Sequence, residues 1–163
     1  MPGKPKKVDI KSEKTLLDSF IKVEEVDVAH ELFKGGMSAI QTREVVLRPA
    51  AAAAVVRHKQ TQEYVFVRQF RLPAQNGADP WLLELPAGIV EKDEKPEDAI
   101  TREIEEETGF KPVSLTPLSW FFLSPGWTDE VCYLFEAEVD GEPHPDPGVG
   151  EEDLEVIFLT WSE

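Results

Sequence analysis

Residues Gly88 to Phe110 (GIVEKDEKPEDAITREIEEETGF) constrain this chain more than any other segment. Pro96 suits the first turn of a helix, Glu97 and Asp98 suit its positive N-terminal end, and Gly109 suits the position just past its C-terminus. The spacing therefore predicts one helix from Pro96 to about Thr108. Ile100 and Ile104 mark its core-facing stripe. Glu103, Glu106 and Glu107 are related by i, i+3 and i+4 and share the adjoining face. Like charges at this spacing cost roughly 0.2–0.5 kcal/mol per pair even when solvated. A hard divalent cation with oxygen ligands would offset that repulsion, and such cations commonly face phosphates. Arg102 adjoins the cluster and could clamp one carboxylate through a bidentate pair. The competing reading is a solvated acidic helix face, and the glutamates alone leave both open.

Size and charge narrow the setting. A chain of 163 residues predicts one compact domain with a small appendage, large enough for a core without staples. A net charge of −15 argues against a nucleic-acid or anionic-membrane surface. It leaves room for an anionic small substrate, because a bound cation reverses the local potential. The single cysteine, Cys132, sits in the apolar run Val131–Phe135 and reads as a buried structural thiol. No run reaches the length of a membrane span, and the basic stretch from Met1 to Lys7 lacks a hydrophobic signal core. The expectation is a short disordered tail and a cytoplasmic protein.

Along the chain, residues 15–28 predict one or two strands, Lys34-Gly35-Gly36 a turn, and Thr42–Leu47 a strand stopped by Arg48-Pro49. The run from Ala50 to Arg57 favours helix by alanine content but is too short for an independent one, so it reads as a strand, as does Glu63–Arg68. Leu72 to Pro80 reads as a loop, Trp81–Leu85 as a short strand, and Pro86-Ala87-Gly88 as a turn. Further strands are expected near 113–123, 131–139 and 154–159, with an acidic Pro/Gly loop from Asp140 to Gly150. Many strands with one strong helix predict an α+β fold.

The spacing Gly88, five residues, Glu94, seven residues, Arg102-Glu103-Ile104, one residue, Glu106-Glu107, one residue, Gly109-Phe110 resembles the Nudix box at every position. The flanks Val67–Arg71, Trp81–Gly88, His30–Ser38 and Ser124–Glu130 are similar to the ADP-ribose pyrophosphatase subgroup, extending the resemblance over roughly residues 20–160. The resemblance implies an α/β/α sandwich on a mixed sheet, with a small N-terminal β region. With the flexible tail expected from composition over 1–13, the resemblance leaves a β region over 14–49 used in dimerisation and a Nudix hydrolase domain over 50–163. It also implies hydrolysis of a nucleoside diphosphate linked to another group, with Mg2+ or Mn2+.

By that resemblance Glu103, Glu106, Glu107 and the Ala87 carbonyl hold metal, and Arg102 orients a ligand glutamate. Gly88, Glu94 and Gly109 shape the loop–helix. Glu130 acts as base or as metal and water partner, and Arg71 contacts a phosphate. Arg48 and Phe20 hold the base, partly from the partner subunit of a domain-swapped homodimer. Subgroup members continue into a helix after the last strand, where this sequence reads Trp161-Ser162-Glu163.

The expected reaction is ADP-ribose to AMP and ribose 5-phosphate. The alternatives are GDP-mannose or another nucleoside diphosphate sugar and, from another class, a non-catalytic nucleotide-binding Nudix module. A generic acidic interaction domain is the third. His30, His58 and His144 are scattered, share no metal-ligand spacing with Cys132, and read as surface or structural residues.

Overall fold

The computed structural model describes residues 7–77, 79–144, 148 and 153–160. The chain forms two compact units, Met1–Arg48 with Phe122–Glu130, and Pro49–Phe121 with Val131–Glu163.

In the first unit, β1 (Val8–Asp18), β2 (Lys22–His30) and β3 (Gln41–Leu47) make an antiparallel sheet in that order. The expected flexible tail over 1–13 is corrected here, because residues 8–13 belong to β1 and pair with β2. Local pattern conceals this strand: its side chains are almost all exposed, so it shows no apolar alternation. Gly35 and Gly36 take φ of 86° and 81° in the turn before β3, a conformation that glycine enters without steric cost. The 124–130 segment docks on β3, with the Val46 N–H donating to the Trp127 carbonyl at 2.8 Å.

The second unit holds a mixed sheet. Its path runs β10 (Leu154–Leu159), β5 (Tyr64–Phe70), β4 (Ala51–His58), β9 (Val131–Val139) and β8 (Pro112–Phe122). Two short strands, β6 (Trp81–Glu84) and β7 (Ala87–Ile89), pair with β5 and β4. β4 and β9 run parallel, whereas β5 runs antiparallel to β4, β6 and β10, and β7 antiparallel to β4. The stretch Pro86-Ala87-Gly88, expected to be a turn, instead enters a strand at Ala87, because Ala51–Ala53 offer it a pairing edge. The expected loop after Arg71 contains a 3-10 turn, Leu72–Asn76.

Helix α1 (Pro96–Thr108) packs on β4, β5, β7 and β10. Ala99, Ile100 and Ile104 are fully buried against Ala52, Ala54 and Val56 of β4 and Phe135, Ala137 and Val139 of β9. The parallel register sets Ala52 beside Tyr133 and Ala54 beside Phe135, so small residues on one strand make room for large ones on the next. Burying each isoleucine contributes roughly 1.5–3 kcal/mol. Gly109 ends the helix in the left-handed region with φ of 73°, its N–H donating to the Glu105 carbonyl at 3.0 Å.

Mixed sheet, loop and helix agree with the expected α+β architecture, and α1 is the α-helix among the described residues. The helix expected after β10 would begin in 161–163, outside the described residues, as does part of the Asp140–Gly150 loop. Among the described residues no helix is long and apolar enough to cross a membrane. Cys132 is buried and free. His58 is buried at the far end of β4, its Nδ1 accepting from the Thr61 N–H at 3.2 Å and its Nε2 lying 3.0 Å from the Gly141 carbonyl, which is the structural role expected of it.

Candidate active site

β7 and α1 face each other, and the alternation of an antiparallel ladder decides what β7 presents. Ala54 N–H donates to the Pro86 carbonyl at 3.0 Å and Val90 N–H to the Ala50 carbonyl at 2.8 Å, so residues 86, 88 and 90 turn their backbone groups toward β4. Ala87 and Ile89 turn theirs the other way, toward α1. The Ala87 N–H donates to Glu107 Oε2 at 3.0 Å, and the Ile89 carbonyl accepts from Arg102 Nη2 at 3.2 Å. The Ala87 carbonyl lies on this same outward edge, where the sequence places a metal ligand.

The helix supplies the carboxylates. Glu107 is 5% exposed, and the side chains of Glu103 and Glu106 are 15% and 35% exposed, so all three border the protein body as their spacing next to Ile100 and Ile104 requires. Glu103 reaches back over β7 far enough that a Cβ at Gly88 would overlap its carboxylate. A side chain at position 88 would therefore push the Glu103 carboxylate from this place.

Arg102 organises the cluster. Its Nε and Nη2 bond the two oxygens of Glu94, each at 3.2 Å, while Nη1 bonds Glu103 Oε1 at 2.7 Å and Glu106 Oε2 at 3.1 Å. The bidentate clamp therefore falls on Glu94, outside the helix, and the two helical glutamates share one nitrogen. Glu94 also accepts from the Glu91 N–H at 2.9 Å, which ties the loop to the helix. The Arg102 bond, then the Glu91 bond, holds the Glu94 carboxyl below the ordinary glutamate value. The same contact, with Glu94 first and Glu103 next among the partners, raises the Arg102 guanidinium above its ordinary value.

Arg71 lies on the same unit and is held by Glu84, with Nε at 3.1 Å from both carboxylate oxygens and Nη2 at 2.8 Å from Oε2. Gln69 donates to the same Glu84 oxygen at 3.0 Å. The sequence pointed to Arg71 but assigned no role to Glu84; the pairing arises across β5 and β6, which local pattern does not reveal.

The first unit gathers Phe20, Arg48 and Glu130. The Arg48 guanidinium stacks 5.2 Å from the Phe20 ring centroid, and its Nε lies 3.9 Å from Glu130 Oε1. The Arg48 N–H donates to Asp129 Oδ1 at 2.8 Å, a second anchor that the sequence did not single out. Phe20 is 86% exposed, so its ring face is available to a planar ligand.

Oxygen-only donors on one helix face and one strand edge are the chemistry that a hard divalent cation takes. A cationic nitrogen already lies between two of those carboxylates, so the donors present fit such an ion. Among the described residues, no three His, Cys, Asp or Glu side chains close into a metal cage, Glu107 being turned to the Ala87 N–H. A NUDIX domain model matches residues 47–163.

The chain belongs to the NUDIX family.

The NUDIX chain is 39% identical over 137 residues to an ADP-ribose pyrophosphatase of Haemophilus influenzae, covering 82% of this chain and 63% of that protein. It is 35% identical over 132 residues to a GDP-mannose pyrophosphatase of Yersinia enterocolitica, covering 78% and 69%. The crystal structure of an ADP compounds hydrolase superposes with a TM-score of 0.72 at 21% identity, covering 98% of this chain and 82% of that one, and so shares the NUDIX fold. The chain spans less than two thirds of the length of the H. influenzae relative.

Proposed function

We propose that the chain is a metal-dependent pyrophosphatase that cleaves a nucleoside diphosphate sugar, with ADP-ribose as substrate and AMP and ribose 5-phosphate as products. The observation that carries this reading is that α1 holds Glu103 and Glu106 on one Arg102 nitrogen and turns Glu107 to the Ala87 N–H on the outward edge of β7. The ADP-ribose pyrophosphatase relative supports the substrate class.

Glu103, Glu106, Glu107 and the Ala87 carbonyl would hold Mg2+, or Mn2+ in its place. A bound divalent cation supplies charge neutralisation at the diphosphate and acidification of water. The chain supplies the rest. Arg71, with its guanidinium plane fixed by Glu84, positions a phosphate through its fork of donors. Arg48 and Phe20 offer a stacked cation and ring for the base, the kind of surface on which a nucleobase stacks. Water adds to phosphorus as the bridging P–O bond breaks, and Glu130 or one of the helix glutamates takes the proton. Gly88, Glu94, Arg102 and Gly109 maintain the loop–helix geometry. The reading includes a cytoplasmic homodimer exchanging its N-terminal β region. It is supported by the exposed apolar residues of that region: Val8, Ile10, Leu16, Leu17 and Phe20.

GDP-mannose is the second reading, favoured by the Yersinia relative. Hydrolysis of ADP-ribose, GDP-mannose and UDP-glucose, each with Mg2+ and with EDTA, tests both. ADP-ribose turnover is expected to dominate and to vanish in EDTA. Equal rates with and without EDTA would refute the metal mechanism, and GDP-mannose dominance would move the base assignment. Glu103→Gln should remove most turnover and leave the domain folded; near-normal activity in that variant would end the assignment. Binding of ADP-ribose without any product would identify a nucleotide-binding module.

A further inference from the structure

Arg102 spends its donors unevenly. A guanidinium carries five N–H groups. Nε and Nη2 are committed to Glu94 and to the Ile89 carbonyl, contacts that lie outside the helix glutamates. Only Nη1 enters the pair formed by Glu103 and Glu106, at 2.7 Å and 3.1 Å. A divalent cation held by these carboxylates would compete for the lone pairs that accept from Nη1, and would repel the guanidinium carrying it. Cation and Nη1 are therefore alternatives at those oxygens, while the other edge of the guanidinium can stay where it is.

We propose that Arg102 is a built-in counter-ion: its Nη1 bridges Glu103 and Glu106 and yields those oxygens when a divalent metal enters. The inference rests on the reading that these glutamates hold metal, and goes beyond an orienting role for Arg102. Two consequences follow. The helix escapes its like-charge repulsion without metal. The site binds metal less tightly than its carboxylates alone would, because each binding event must displace Nη1. Glu94 and the Ile89 carbonyl keep the side chain within reach, so the exchange is reversible and local.

An orienting role and a competing role predict opposite signs. Mn2+ binding without substrate, measured by calorimetry on wild type and Arg102→Gln, separates them. The counter-ion predicts that R102Q has a lower metal-free Tm, binds Mn2+ several-fold more tightly, and gains more Tm on adding Mn2+ than wild type does. Equal or weaker Mn2+ binding by R102Q overturns the inference and leaves Arg102 as a positioning residue. Should R102Q fail to fold, the wild type suffices: titrating Mg2+ while following the Arg102 side-chain resonances by NMR should move Nη and leave Nε nearly in place. Unmoved Nη resonances would overturn the inference. A wild type that binds neither cation overturns the metal reading as well, whereas wild-type binding without a gain in R102Q removes only the counter-ion.

Discussion

A methyl group at Gly88 would overlap the Glu103 carboxylate, so this residue decides where that carboxylate can rest. Gly88→Ala should keep the fold, because Gly88 pairs with Ala52 through its backbone alone. Its cost should fall on Glu103, and a misplaced catalytic group loses on the order of a hundredfold in rate. Normal circular dichroism with ADP-ribose turnover reduced to that degree is the expected result; unchanged turnover would show that Glu103 can reposition freely. Glu94 makes a pH-dependent prediction. Its carboxyl lies below the ordinary value of 4.5 in the folded state, chiefly through Arg102, so its contribution is present above that value and lost as pH falls through the depressed folded value. Glu94→Gln lacks the contribution at every pH. The Tm gap between wild type and E94Q should therefore be widest at neutral pH and close as pH falls through that depressed folded value. A gap that widens in acid would contradict the clamp.

At the scale of elements, α1 depends on a stop that only glycine fits well. Gly109 has φ of 73°, and a Cβ there would lie 2.7 Å from the His144 carbonyl oxygen. Gly109→Ala should cost about 1–3 kcal/mol from the left-handed conformation alone, measured by chemical denaturation, and more if the backbone at His144 cannot give way. This helix was legible in the sequence because its signals are local: Pro96 at the start, Ile100 and Ile104 one turn apart, Gly109 at the end. β7 was not, because Pro86-Ala87-Gly88 has the composition of a turn and becomes a strand only beside Ala51–Ala53. β1 was missed in part for the same reason, since its pairing with β2 defines it and its own side chains are mostly exposed. The site divides along the same line. The spacing of Glu103, Glu106 and Glu107 is a one-dimensional fact. The hold of Glu84 on Arg71 and of Glu94 on Arg102 depends on segments 8 to 13 residues apart being folded together.

The whole molecule carries 32 acidic against 17 basic residues, and Arg48, Arg71 and Arg102 are each paired with a glutamate. Its N-terminal sheet exposes Val8 at 66% and Phe20 at 86%, an expensive arrangement for an isolated chain and a natural one for a chain that associates. Light scattering should return twice the chain mass of 18.4 kDa. A fully active particle of 18.4 kDa would remove the dimer from the proposed function without touching the glutamates. The alanines of β4 reach further than their size implies. Ala52 and Ala54 lie beneath α1, and Ala51–Ala53 also hold β7, so one strand carries both elements of the proposed metal site. Their missing side-chain volume works as a spacer of fixed thickness. A larger residue at Ala52 should raise the helix from the sheet and lengthen the bond from the Ala87 N–H to Glu107, loosening the proposed site from beneath.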